Sequence, residues 1–304
     1  MKIYLNREPV SGPWGGGNKT VLKLSESLKK EGYDVVYKLQ PDIDIIFCFD
    51  PRPNGHGEWY DNFLQYKKET GCSIIQRVGD IGTHGKPHLT KLVKETLSYS
   101  DFIIFPSKWA KEKIGFSGDN YKVINNGPLE VFHSFKRLNE LGEKIKIVTH
   151  HWSTNPKKGF DFYRFVDEKI ANREMFDFLY IGQLPEGMRF KNSRHIKATG
   201  DNEFLAKTIS EQDIYLTASE EEAGANHVLE AMAAGLPVIY HENGGSIIDY
   251  CCEYGAPYDS EISLLKAIKD VYDNYSLYKS KIMCYNDNIS NVIDQYMEVI
   301  CALK

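Results

Sequence analysis

Glu222-Ala223-Gly224-Ala225-Asn226-His227-Val228-Leu229-Glu230 runs directly into Ala231-Met232-Ala233-Ala234-Gly235-Leu236-Pro237-Val238-Ile239-Tyr240. This reads as a loop, then a helix stopped by Gly235, then a buried strand that opens after Pro237. Ile214 to Thr217, just upstream, reads as another strand. Glycines and a carboxylate at a helix start, next to a strand of an α/β chain, suit a phosphorylated ligand with a hydroxyl-rich group.

The alternation extends outward from there. Upstream, a strand at Lys144 to His150, a helix at Phe160 to Ile170, strands at Asp177 to Gly182 and Ile196, and a helix at Asp201 to Ser210 precede Ile214. The first half behaves likewise, from the strand Lys2 to Leu5 through Ile43 to Phe49, Ser73 to Arg77 and Phe102 to Pro106, with helices between. Such alternation predicts parallel sheets covered by helices on both faces. After Asn125-Asn126-Gly127-Pro128 the composition turns polar through Glu143 and reads as a linker. The expected fold class is α/β: two doubly wound halves facing a cleft, residues 1–135 and 136–285, followed by a closing helix in 286–304. Open sheets of this kind bind ligands beyond the carboxyl ends of their strands.

Length and composition agree with this division. A chain of 304 residues holds two ordinary domains. No run approaches the roughly 18 apolar residues of a membrane span, and Met1 to Asn6 is too short in its apolar part for a signal peptide, so a cytoplasmic protein is expected. The six cysteines show no zinc-type spacing and read as reduced, mostly buried thiols. Net charge is −5 and the basic residues are scattered, which argues against nucleic acid as a partner. Lys19, Lys23, Lys29 and Lys30 leave a peripheral membrane contact open beside the plainer reading of a solvated helix face.

Two carboxylates eight residues apart raise acid/base hydrolysis. On one helix they would lie roughly 12 Å apart at about 1.5 Å rise per residue, wider than the roughly 5 to 9.5 Å that a glycosidase pair needs. The alternative is that Glu222 and Glu230 accept hydrogen bonds from hydroxyls at different parts of one long ligand. A nucleotide sugar has that length and those donors. With the Ala-Met-Ala-Ala-Gly-Leu-Pro-Val-Ile tail and Gly244-Gly245 beyond it, the segment resembles the E-x7-E signature of family 4 retaining glycosyltransferases. The resemblance covers most of residues 144 to 250, and in the first half only the glycine loop and strand-end segments.

The resemblance implies a GT-B fold, with a last helix that crosses back to the first domain, and it implies residue roles. Glu230 would hold the ribose hydroxyls and Glu222 those of the donor sugar, although the acidic run leaves Glu221 as a substitute for Glu222. Lys158, in Lys158-Gly159, matches the lysine that grips the donor diphosphate, assisted by the Gly224 and Ala225 backbone with Asn226. The family's arginine five residues earlier falls here on Ser153, and Lys157, His151 or Asn155 would compensate. Lysines at a helix start oppose the helix dipole, which a bound anion would resolve.

In the first half, Gly12-Pro13-Trp14-Gly15-Gly16-Gly17-Asn18-Lys19-Thr20 follows the first strand. A Walker A reading fails because Asn18 separates Gly17 from Lys19-Thr20. The loop is instead similar to the family's Gly-Gly loop, with Gly16 and Gly17 facing the donor. Gln76 to His84 is a glycine-rich strand end where acceptor contacts belong; Asp80 and His84 are candidates, with a turn or capping role open for each. Asn126 matches the family's strand-end Asn-Gly segment near the nucleotide sugar.

The expected activity is retaining glycosyl transfer from a nucleoside diphosphate sugar to a hydroxyl of a glycan, lipid-linked sugar or small-molecule acceptor, with no metal and no further cofactor. A P-loop phosphotransferase, a nucleotide-sugar epimerase of the same fold and a sugar-nucleotide binding protein without catalysis are the alternatives.

Overall fold

A computed structural model describes residues 1–10, 16–138 and 140–303. The chain divides into two units, Met1–Asn126 with Ile289–Lys304, and Gly127–Asn288. The sequence reading placed these divisions at 135 and 285.

Unit 1 contains β1 (Lys2–Leu5), α1 (Gly16–Lys30), β2 (Asp34–Val36), β3 (Ile45–Cys48), α2 (Tyr60–Thr70), β4 (Ser73–Arg77), α3 (Pro87–Leu97), β5 (Phe102–Phe105), α4 (Lys108–Ile114) and β6 (Tyr121–Val123). Its sheet is parallel throughout, in the order β2-β1-β3-β4-β5-β6. The inner strands β3 and β5 read as unbroken apolar runs, Ile-Ile-Phe-Cys and Phe-Ile-Ile-Phe, because both of their faces are covered. Local chemistry sets the helix ends: the Ser107 hydroxyl accepts the Ala110 N–H at 3.0 Å to start α4, and Gly115 ends it with φ 77°. On α1, Lys23 pairs with Glu26 and Lys29 lies over the Tyr37 ring.

Unit 2 contains α5 (Glu130–Ser134), β7 (Ile145–His151), α6 (Phe160–Lys169), β8 (Phe176–Gly182), β9 (Arg194–Ile196), α7 (Asn202–Ser210), β10 (Ile214–Thr217), α8 (Asn226–Ala233), β11 (Val238–His241), α9 (Ser246–Cys251), β12 (Gly255–Tyr258), α10 (Glu261–Asp273) and α11 (Tyr275–Met283). Its parallel sheet has the order β12-β11-β10-β7-β8-β9. One face is covered by the core that includes Leu205, Ile209, Val228 and Met232, the other by Tyr163, Val166, Leu264 and Val271. The two halves are therefore each doubly wound, as the alternation of elements predicts.

One local expectation needs correction. The stretch after Pro128 is not a plain linker: it holds α5, whose Phe132 is completely buried in the core of unit 2. One apolar residue in a polar segment escapes a composition argument. Gly-Ala-Pro-Tyr, a segment the sequence reading did not name, forms β12, where Pro257 is tolerated because the strand lies at the sheet edge. The cysteines are all free; Cys48, Cys72 and Cys251 are buried, whereas Cys252, Cys284 and Cys301 are exposed.

The chain ends in α12 (Ile289–Ala302), which belongs to unit 1 and packs on α1. Ile289, Val292, Ile293, Tyr296, Val299 and Ile300 are its buried face, the spacing of a one-sided helix. Tyr296 reaches Phe47 of β3, ring centres 5.9 Å apart. Among the described residues no helix is long and apolar enough to cross a membrane.

At the start of β10, Asp213 ties together elements distant in sequence. Its carboxylate accepts the Lys146 N–H at 2.7 Å and pairs with Arg137, and both acid and guanidinium are buried. Removing one partner strands the other's charge out of water. Asp213→Ala is expected to destabilise the protein by about 3 kcal/mol or more, read as a lower urea midpoint at unchanged slope.

Candidate active site

The strand order of unit 2 reverses between β7 and β10. From β7 the chain moves outward through β8 and β9, then returns to lay β10 on the other side of β7. Loops leaving the carboxyl ends of those two strands diverge, and the crevice between them is where such sheets take ligands. The basic loop after β7 and the acidic loop after β10 meet there.

After His151 the chain runs through Trp152 to Asn155 into a single 3-10 turn, Pro156–Lys158, opened by Asn155 Oδ1 accepting the Lys157 N–H at 2.9 Å. Gly159 follows with φ 73°, and a Cβ there would lie 2.3 Å from the Ala218 carbonyl oxygen. Only glycine lets α6 begin this close to the end of β10. The partner loop is held by its backbone. Glu220 N–H donates to the Lys157 carbonyl at 2.8 Å, Glu221 N–H to that of Asn243 at 2.7 Å, and Ser246 N–H to that of Glu222 at 2.8 Å. Glu221 is forced to φ 52°, a conformation that non-glycine residues adopt at a cost and that concentrates at functional sites.

This backbone path separates the three glutamates. Glu220 and Glu221 reach Lys157 at 3.1 and 3.5 Å, and the Glu220 hydrogen bond, with Glu221 behind it, raises Lys157 above the ordinary lysine value. Glu222 pairs instead with Lys158, whose side chain is 12% exposed against 39% for Lys157. The Lys158–Glu222 pair is the drier and electrostatically stronger of the two.

Glu230 lies in the second turn of α8, buried, with an oxygen 2.8 Å from His150 Nε2. A carboxylate only accepts, so Nε2 donates to Glu230, and the Tyr215 hydroxyl lies 3.0 Å from Nδ1. The His150 amide donates to the same hydroxyl at 3.2 Å, which locks the ring. Glu230 is thus aimed by β7 and β10, not only by its own helix. His227, three residues before it, sits 3.0 Å from the Thr217 hydroxyl, with its ring 5.2 Å from that of His151. Burial first, then the Lys158 charge, pushes His227 down to about 3. Burial, then neighbouring His227, also holds His151 well below the imidazole range. Both rings are neutral near pH 7, so they add no charge beside Lys158.

A cavity of about 660 Å³ adjoins the ends of β7 and β8, lined among others by Trp152, Leu184, Met188, Arg189, Phe190 and His195. Trp152 is half exposed there.

Lys157, Lys158, Glu222, Gly224, Ala225, Asn226 and Glu230 all fall on the two facing loops or the start of α8. Ala225 N–H already donates to Ser246 Oγ at 3.0 Å. His151 points inward, against Tyr163 and Thr149. Ser153, at the arginine position of the resemblance, braces its own loop by accepting the Asn155 N–H at 3.1 Å. The remaining expected residues lie in unit 1. Gly16 and Gly17 open α1, while residues 11–15 of the glycine loop lie outside the described residues. Asp80 accepts the Gly82 N–H at 2.8 Å and pairs with Lys86 at 2.7 Å, and Asn126 accepts from Arg77 at 2.8 Å. Sequence reasoning left Tyr215 and His227 unassigned. His227 carried one usable signal, a position three residues before Glu230 on the same helix face.

Residues 145–274 match the family model described as glycosyl transferases group 1. The match lies within unit 2 and marks that unit as a group 1 glycosyltransferase domain, while the two parallel, helix-covered sheets are those of the GT-B fold. No curated protein sequence matches the chain. Among solved structures, the sucrose-phosphate synthase from Thermosynechococcus elongatus is similar at 14% identity with a TM-score of 0.71, covering 100% of this chain and 99% of that one. WaaG, a glycosyltransferase involved in lipopolysaccharide biosynthesis, is similar at 13% identity and TM-score 0.66, covering 99% of both chains. The pneumococcal O-GlcNAc transferase GtfA, in complex with UDP and GlcNAc, is similar at 11% identity and TM-score 0.62, covering 85% of this chain and 56% of that one.

The depressed His227 gives a pH test with a definite sign. Between the ordinary imidazole value and about 3 the unfolded chain binds a proton that the folded chain refuses, so stability falls as pH falls through that window. His227→Gln is expected to remove about 1.4 kcal/mol per pH unit from the slope of stability between about pH 6 and pH 4, measured from urea midpoints of both proteins across that range.

Proposed function

We propose that this glycosyltransferase moves a sugar from a nucleoside diphosphate sugar to an acceptor hydroxyl with retention of anomeric configuration. The observation that carries the proposal is the pair of separately held carboxylates at the β7/β10 crossover, Glu222 on Lys158 and Glu230 on His150. Different partners at different depths suit two groups of one extended donor. Glu230, aimed by His150, takes the ribose hydroxyls, and Glu222 takes hydroxyls of the sugar.

Lys158 serves the diphosphate. As the bond to the anomeric carbon breaks, negative charge builds on the leaving oxygen and positive charge on the sugar ring. A lysine held in a partly dry site stabilises the former more in the transition state than in the ground state. Entry of the diphosphate exchanges one anionic partner of Lys158 for another and releases Glu222 to the sugar. With serine at position 153, Lys158 carries most of this task, and Lys157 supports it from behind Glu220 and Glu221. An acceptor approaching from the leaving-group face gives retention with no protein nucleophile, and the reading needs no metal. Gly224 and Asn226 lie beside the diphosphate at the start of α8. The cavity by Trp152 is of a size for the base, with an exposed indole face for stacking. That a protein of this fold is described with UDP supports a nucleoside diphosphate. Gly16, Gly17 and Asn126 toward the donor and Asp80 toward the acceptor remain assignments by family pattern. A cytoplasmic setting, and acceptors among glycans, lipid-linked sugars or small molecules, complete the proposal.

Thermal stabilisation by a panel of nucleoside diphosphates and their sugars identifies the donor. With that donor, Glu230→Ala is expected to weaken nucleoside diphosphate binding by about tenfold to a hundredfold, the equivalent of losing hydrogen bonds to a charged group. Lys158→Ala is expected to lower kcat by at least about a hundredfold. Unchanged turnover in both variants sinks the assignment, and conversion of the free donor without acceptor points to an isomerase instead.

A further inference from the structure

Unit 1 contains a buried charge that none of the roles above uses. Arg77 is the last residue of β4, at the carboxyl end of a central strand, and is 4% exposed. Among the described residues its guanidinium meets two partners, both neutral. Nε donates to the Tyr296 hydroxyl at 3.1 Å and Nη2 to Asn126 Oδ1 at 2.8 Å. A guanidinium has five donor hydrogens and its charge does not titrate away, so burial without a carboxylate is costly.

The acids nearby are committed elsewhere. Asp50 holds Arg52 at 2.6 Å and Arg7 at 3.4 Å, and Asp80 holds Lys86 at 2.7 Å. The loops beyond the carboxyl ends of β1, β3 and β4 thus gather Arg7, Arg52, Lys86 and Arg77 against Asp50 and Asp80. The third nitrogen of Arg77 lies against the backbone of Gly79. A Cβ on Gly79 would lie 2.7 Å from Nη1, and Gly79 is exposed. The residue beside that edge of the guanidinium therefore has no side chain to block a small oxyanion, for which the planar fork has the matching geometry.

From this geometry we infer that Arg77 is the receptor for an oxyanion on the acceptor, a phosphate monoester or a carboxylate, so that the acceptor is an acidic sugar and not a neutral one. The inference rests on the transferase reading above for the word acceptor, and on unit 1 alone for the anion. Tyr296 and Asn126 orient the fork, and Gly79 admits the anion.

Isothermal titration of the full chain at constant ionic strength tests this, with glucose 6-phosphate and glucuronate as probes, glucose as the uncharged control and UDP as a separate report on unit 2. At least one anionic sugar should bind at least about tenfold more tightly than glucose, and which one does so tells phosphate from carboxylate. Arg77→Met and Gly79→Val should each remove at least about tenfold of that affinity while UDP binding stays as in the wild type. Gly79→Val keeps the Arg77 charge while filling the approach and pressing on Nη1, so it decides the matter if Arg77→Met does not fold. Equal binding of glucose and both acids, or full anion affinity in the variants, overturns the proposal and leaves Arg77 a structural tie. Anion binding without any UDP binding would uphold this site and reject the donor reading.

Discussion

β7 hydrogen-bonds to β8 on one side and to β10 on the other, and the chemistry of unit 2 depends on that double pairing. Because parallel strands need crossover connections, the chain leaves β7 toward one edge and must return to lay β10 on its other flank. The two loops at that point run in opposite senses from adjacent strand ends. Their proximity is close enough that Gly159 admits no side chain beside Ala218, and that the Lys157 carbonyl accepts the Glu220 amide. Lysines and glutamates more than sixty residues apart then meet, as the 64-residue separation of Lys158 and Glu222 shows.

Charge in the crevice is arranged with economy. Four acids and two lysines would be a poor binding site if they neutralised one another indiscriminately. The strained turn at Glu221 sends Glu220 and Glu221 to Lys157 and leaves Glu222 to Lys158. Glu230 accepts from an imidazole instead of a lysine. His151 and His227 stay neutral chiefly because burial disfavours their charged forms, with the neighbouring imidazole for His151 and the Lys158 charge for His227 acting in the same direction. Unit 1 follows another logic at its own strand ends, where cations outnumber acids and one guanidinium is buried against neutral groups.

Much of this was legible in the chain, though unevenly. Runs such as Ile-Ile-Phe-Cys and Phe-Ile-Ile-Phe announce strands buried on both faces, and their alternation with helices announces the doubly wound class. Segments escaped where one residue outweighed composition, Phe132 in a polar stretch and Pro257 in an edge strand. The signature glutamates and Lys158-Gly159 stood out as motifs, because their spacing within a loop or helix is local. Partnerships did not: His150 with Glu230 spans 80 residues, and nothing in either neighbourhood names the other. The same holds for Arg77, whose Tyr296 partner lies 219 residues away on the last helix.

What the sequence determined by itself was therefore the kind of element at each point, the class of sheet and the residue types at the strand ends, since these follow from periodicity and backbone preference over short distances. The tertiary structure alone decided which strand end lies beside which. Strand order is set by the packing of helices on both faces, and a one-dimensional pattern does not carry it. That order makes Lys158 the partner of Glu222, turns His151 inward and His150 toward Glu230, and buries Arg77 against Tyr296 and Asn126.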